Sequence, residues 1–141
     1  MIRFALFGAG KIGRMHAANL AGHKKTELRW VYDINQATGD EVAATFGARS
    51  CNSTEEPLSD PEVDAVLIAT STDTHASLIV ESAKAGKAVF CEKPIDLSLE
   101  KVNRCSDQIK NYDVPIQIGF NRRFDPSHRK VAQAVQNGEI G

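Results

Sequence analysis

Strand-like apolar runs alternate with helix-like segments along the whole of this 141-residue chain, a pattern that predicts an α/β fold on a doubly wound parallel sheet. Two observations carry that expectation. Several of the runs, such as Ala65 to Ala69, are continuously apolar, as strands covered on both faces require. The first run leads straight into Gly8-Ala9-Gly10-Lys11-Ile12-Gly13, a glycine-rich turn that opens a helix and is answered by Asp33, twenty residues beyond Gly13.

The elements follow in order. Arg3 to Phe7 reads as a strand and Ile12 to Ala21 as a helix; Glu27 to Tyr32 is the second strand, with Trp30 in the core. A helix over Gln36 to Phe46, whose Phe46 is also core, ends where Gly47 can take a left-handed conformation. A short strand near Arg49 to Cys51 comes next, and Pro57 and Pro61 bracket a loop or short helix. The fourth strand, Ala65 to Ala69, is followed by a helix from His75 to Ala85 and its terminating Gly86. The fifth strand is Ala88 to Cys91. Ser98 caps a helix over Leu99 to Asn111, Ile116 to Gly119 is the sixth strand, and a last helix from Ser127 to Asn137 stops at Gly138.

Composition bounds the function classes. A hydrophobic content of 42% supports one ordinary core, and a net charge of −1 with the two signs interspersed offers nucleic acid no basic stripe. No segment is long and apolar enough for a membrane, and the opening run, which contains Arg3 and lacks a small-residue cleavage site, is a buried strand rather than a signal peptide. Cys51, Cys91 and Cys105 are odd in number and share no metal-ligand spacing, so reduced thiols in a cytoplasmic protein, with Cys91 and Cys105 in the core and no metal, are expected.

The glycine unit has a mechanical reading. Gly8 permits the sharp turn, Gly10 lets a pyrophosphate approach the backbone, and Gly13 lets helix and strand pack closely. Phosphates would then meet the free N–H groups and positive end of the helix. Asp33 would accept hydrogen bonds from the adenine ribose and repel a 2′-phosphate, which favours NAD over NADP. Lys11 lies inside the loop, where it could reach toward a 2′-phosphate, so some NADP tolerance is allowed.

Three further polar clusters follow strands: Thr70-Ser71-Thr72-Asp73-Thr74-His75, Glu92-Lys93-Pro94 and Asn121-Arg122-Arg123. Right-handed crossovers place them at the carboxyl ends of the strands, where they should line one crevice with the glycine loop.

Gly8 to Gly13, Cys91-Glu92-Lys93-Pro94 and Gly119-Phe120-Asn121-Arg122-Arg123-Phe124-Asp125-Pro126 together resemble the glucose-fructose oxidoreductase and inositol dehydrogenase (Gfo/Idh/MocA) family. Ser71 to His75 and Glu92 to Leu97 look closest to its bacterial inositol 2-dehydrogenase branch. The resemblance implies a Rossmann domain over residues 1–121 and, over residues 122–141, a segment connecting to a second, α+β substrate domain that would begin where this chain stops. The chain is therefore expected to be the cofactor half of an NAD-dependent dehydrogenase that oxidises a secondary alcohol of a cyclitol or sugar, myo-inositol first among them. The full-length enzyme would be a homo-oligomer, a dimer or tetramer.

The resemblance also assigns residues. Lys93, placed in the crevice by the following Pro94, often through a cis peptide, would join a proton relay or donate to the substrate oxygen. The aspartate and histidine that work with it in the family belong to the second domain and match no position here; His128 reads as a surface or capping residue. The cofactor set comprises Gly8, Ala9, Gly10, Lys11, Ile12, Gly13, Asp33, Ile34, Thr70, Ser71, Thr72, His75, Glu92, Lys93 and Arg122. Within it His75 either sits beside the nicotinamide ribose or is a helix-start residue satisfied by backbone, and Glu92 either bonds within the crevice or fixes its turn. Arg123 is equally a surface or interdomain charge. A non-catalytic NAD-binding module remains the alternative, as does a family member acting on another sugar. A glycine-rich methyltransferase-like fold would also fit the first motif, but Lys93-Pro94 and the closing Gly-Phe-Asn-Arg-Arg stretch argue against it.

Overall fold

The computed structural model describes residues 1–141. Six parallel strands, β1 (Ile2–Phe7), β2 (Thr26–Tyr32), β3 (Arg49–Cys51), β4 (Ala65–Ile68), β5 (Ala88–Cys91) and β6 (Ile116–Ile118), form one sheet in the order β3-β2-β1-β4-β5-β6. The helices are α1 (Lys11–Gly22), α2 (Gln36–Phe46), α3 (Glu55–Ser59), α4 (Thr72–Lys84), α5 (Leu99–Ile109) and α6 (Pro126–Gln136), with a 3-10 turn over Asn121–Phe124. The chain winds outward from β1 in one direction, returns to lay β4 on its other side, and continues outward. The doubly wound sheet expected from the alternation is present, and its switch point lies between β1 and β4.

Alternation along the strands builds two cores. Ala5, Phe7, Val66, Ile68, Val89 and Cys91 point to the face covered by α4 and α5, where they meet Leu78, Ile79 and Cys105. Leu6, Leu28, Val31 and Leu67 point to the other face, under Ala17 and Leu20 of α1 and Val42 and Ala43 of α2. A one-residue slip would exchange the two sets, so the period-2 pattern fixes register. The β1–β2 pair contains an irregularity after Phe4, where Leu28 is followed as a partner by Trp30 and Arg29 is left over. That residue turns outward into an ion-pair cluster with Asp60 and Glu62.

The strands end in register. Phe7 pairs with Tyr32 and Ile68, Tyr32 with Cys51, Ile68 with Cys91, and Cys91 with Ile118. The residues that follow, Gly8, Asp33, Asn52, Ala69, Glu92 and Gly119, therefore form one row along the carboxyl edge of the sheet.

The helix ends follow local chemistry. Asn35, Ser98 and Asp125 cap α2, α5 and α6 by accepting N–H groups from Thr38, Lys101 and His128. Gly47, Gly86 and Gly138 all take positive φ, as their places after helices require. The structure moves one boundary appreciably: α4 begins at Thr72, not His75, because Ser71 already has the extended backbone of a cap and the Thr-Asp-Thr stretch continues as helix. Cys51, Cys91 and Cys105 are free and buried. Burial pushes the Cys51 thiol up to about 11 and the Cys91 thiol up to about 12.

Candidate functional site

At the carboxyl edge, where β1, β2 and β4 end, a cleft of about 550 Å³ opens between Gly8, Gly10, Asp33, Ile34, Thr70 and Ser71. Six residues of the expected cofactor set thus meet in one place.

The glycines divide into structural and open positions. Gly8 has φ +92, and a Cβ there would stand 2.5 Å from the Ala69 carbonyl oxygen; a Cβ on Gly13 would stand 1.9 Å from the carbonyl oxygen of Gly8. Both sites are closed to side chains by the backbone itself. Gly10 has nothing within 4 Å of where its Cβ would be, so the space beside it is kept free for something else. Helix α1 starts at that point with no side-chain cap, unlike α2, α5 and α6, and with no acid in its first turn. Its unsatisfied N–H groups and dipole leave a place for an anion.

Asp33 anchors the loop. One carboxylate oxygen accepts the Ala9 N–H at 2.6 Å and the other accepts the Asn35 N–H at 2.8 Å. Ala9 itself is fully buried, so its part is to tie the loop to Asp33. Each oxygen keeps lone-pair capacity for a ribose hydroxyl. Gly39 of α2 lies close behind, where a Cβ would come within 3.4 Å of the Asp33 nitrogen.

Across the cleft the hydroxyls are locked in a chain: Thr74 Oγ1 donates to the Ser71 carbonyl at 2.8 Å, leaving Thr70 Oγ1 to donate to Thr74 Oγ1 at 2.7 Å. Thr74, Ser77, Leu78 and Glu81 form the helical wall. Their i, i+3, i+4, i+7 spacing is the sequence signal that they share one helix face. Thr54 and Glu55 complete the lining; a three-residue strand before them gives the sequence little by which to place them.

The turn after β5 is gripped from both faces of the sheet. On the α1 side, His16 Nε2 lies 2.9 Å from Glu92 Oε1, both side chains are mostly buried, and the His16 ring meets Phe90 edge-on at 5.5 Å. On the α4 side, His75 is 2% exposed, with Nδ1 2.7 Å from the Pro94 carbonyl oxygen and Nε2 3.1 Å from that of Thr70. Both ring nitrogens of His75 thus lie on backbone carbonyl oxygens. Glu92 has His16 as its partner, a pairing with no signal in the sequence. Lys93 is exposed between the two grips, and its bond to Pro94 is cis.

Other expected residues lie elsewhere. Lys11 and Ile12 begin α1 beyond the lining of the cleft, and Thr72 faces a neighbouring hollow with Asp96 and Ser98. Arg122 pairs with Asp125 at 3.5 Å and lines a separate cleft with Arg123, His128 and Arg129, so the three polar clusters do not share one crevice. The reason is topological: β6 is the sheet edge, two strands beyond β4, and the chain turns there into the 3-10 segment. His128 is exposed and takes part in the cap of α6, its N–H and ring both on Asp125.

Comparison with known proteins agrees with this geometry. Residues 2–120 match the model of the GFO/IDH/MocA oxidoreductase family, NAD-binding Rossmann fold. Inositol 2-dehydrogenase of Rhizobium meliloti is 42% identical over 99% of this chain, and myo-inositol 2-dehydrogenase of Thermotoga maritima is 40% identical over 99%. The chain spans 42% of the length of each of these relatives. The structure of scyllo-inositol dehydrogenase from Lactobacillus casei with bound NAD(H) and scyllo-inositol superposes with a TM-score of 0.92 at 30% identity, covering 100% of this chain and 42% of that one.

Proposed function

This chain belongs to the GFO/IDH/MocA oxidoreductase family, and from that premise we propose that it is the cofactor-binding half of an NAD-dependent dehydrogenase acting on a secondary alcohol of a cyclitol, with myo-inositol oxidised at C2 as the first substrate to test. The observation that carries the proposal is the uncapped start of α1 at an open Gly10, with Asp33 tied to the loop beside it.

In this reading residues 1–121 bind the dinucleotide and residues 122–141 lead toward the substrate-binding part. Gly8, Gly10 and the first turn of α1 hold the pyrophosphate, Asp33 and Ile34 the adenosine ribose, and Thr70 and Ser71 the opposite wall. NAD, when bound, supplies the hydride acceptor. The protein's own contribution is position and charge. Lys93, held by the His16–Glu92 and His75–Pro94 contacts, would donate to the substrate hydroxyl and stabilise the oxygen as its proton leaves. The base that takes that proton, and the wall that selects the polyol, would come from sequence following Gly141 in the relatives. Homo-oligomerisation belongs to the same proposal.

An amide NMR titration with NADH tests the assignment residue by residue. Resonances of Gly8 to Gly13, Asp33, Thr70 and Ser71 should shift together and saturably. Shifts confined to Arg122 and α6 would place the ligand elsewhere.

A further inference from the structure

Two of the three acidic side chains lining the cleft, Glu55 and Glu81, have no place in the cofactor assignment above. No lysine, arginine or histidine lines the cleft. Because β2 and β3 end in register at Tyr32 and Cys51, the loop after β3 brings Glu55, the first residue of α3, to the end of the cleft occupied by Asp33 and Ile34. Glu81 closes the same cleft from α4. The Glu55 carboxyl is held below the usual carboxylate range by the Ser53 hydroxyl and by its own backbone N–H, so it is ionised at neutral pH.

One neighbouring cation is already engaged. Arg14 of α1 feels the Asp33 charge, but its guanidinium makes two bonds to Glu41 of α2, at 2.8 and 2.7 Å. Lys11 does not line the cleft.

We propose that Glu55 is a second determinant of cofactor choice, acting with Asp33 to turn a 2′-phosphate away from the adenosine end of the cleft. The inference rests on the cofactor reading given above and deepens it. A 2′-hydroxyl is an uncharged donor that a carboxylate welcomes, whereas a 2′-phosphate meets the carboxylates that follow β2 and begin α3, with no cation among the lining residues. Removing the Asp33 charge alone therefore leaves NADP disfavoured, because the charge of Glu55 persists. Glu55 is exposed, so its share of the discrimination is screened by salt.

Parallel titrations of NADH and NADPH into the chain, with Glu55→Gln, Asp33→Asn and the double variant, test this. Glu55→Gln should move the NADH-to-NADPH affinity ratio about threefold or more toward NADPH, and the double variant should exceed Asp33→Asn by a similar factor. In the unmodified chain the ratio should narrow as salt is raised, a measurement that needs no variant to fold. A ratio indifferent to Glu55→Gln, with NADH still bound, would overturn the role of Glu55 and leave the cofactor reading standing. A folded chain that binds neither dinucleotide would overturn both.

Discussion

At the scale of single residues, Gly10 and Gly13 make opposite demands on the same loop. Alanine at Gly13 would drive its Cβ into the Gly8 carbonyl, so Gly13→Ala should cost about 3 kcal/mol or more of stability in a denaturant titration. Alanine at Gly10 meets no protein atom, and the roughly 0.5–1 kcal/mol it loses as a poorer cap is largely offset by about 0.4–1 kcal/mol from a stiffer unfolded chain, since φ at Gly10 is −67°. It should instead weaken NADH by about tenfold or more by occupying the phosphate's space, with the melting temperature nearly unchanged. Asp33→Ala removes a charged acceptor and the tether to Ala9, so NADH affinity should fall by about 10- to 100-fold; unchanged affinity would mean that Asp33 does not hold the ribose. These three residues were legible in the sequence because a turn, a backbone approach and an acid leave spacing behind them. His16 was not, since nothing in Arg14-Met15-His16 announces that Glu92, far along the chain, stands 2.9 Å away.

Among elements, the turn between β5 and α5 owes its place to two helices on opposite faces of the sheet. His75 of α4 bridges two carbonyl oxygens belonging to different loops. Replacing it with alanine leaves a buried void and an unmet carbonyl acceptor, and His75→Ala should lower stability by about 3 kcal/mol in urea. His16→Ala, at a more exposed contact, should cost less. The order of these two costs would be reversed if the α1 contact, rather than α4, were the main support. Element identities and most boundaries were readable from apolar runs, caps and glycines. The start of α4 and the bulge after Phe4 were not, because backbone geometry at Ser71 and the pairing of Arg29 with Asp60 and Glu62 are settled by tertiary contacts. Arg122 was drawn away from the cleft for a similar reason: local likeness between polar clusters says nothing of how many strands separate them.

Across the whole molecule, the two ends of the sheet have different tasks. The carboxyl edge carries the cleft, while near the amino ends of β1 and β4 Arg3 and Asp64 are locked together, with the backbone N–H of Arg3 also on Asp64. Arg3 holds the Asp64 carboxyl down at about 2, and Arg29 with Trp30 holds that of Asp60 lower still. A carboxyl whose folded value lies below its unfolded one, roughly 3.9, gives stability that is complete above the unfolded value and lost as pH falls toward the folded one. The chain should therefore lose stability between about pH 4 and pH 2, and Asp64→Asn should flatten that part of the profile, as read by circular dichroism at equilibrium. No helix is long and apolar enough to cross a membrane.

In the reading given above, this chain by itself forms a site for NAD, and calorimetric titration with NADH and NADPH in parallel, at matched salt, is its decisive measurement. Saturable one-to-one binding of NADH, tighter than that of NADPH, is the expected result. A folded chain that takes up neither, or that prefers NADPH, would contradict the assignment of the glycine loop or of its acidic wall.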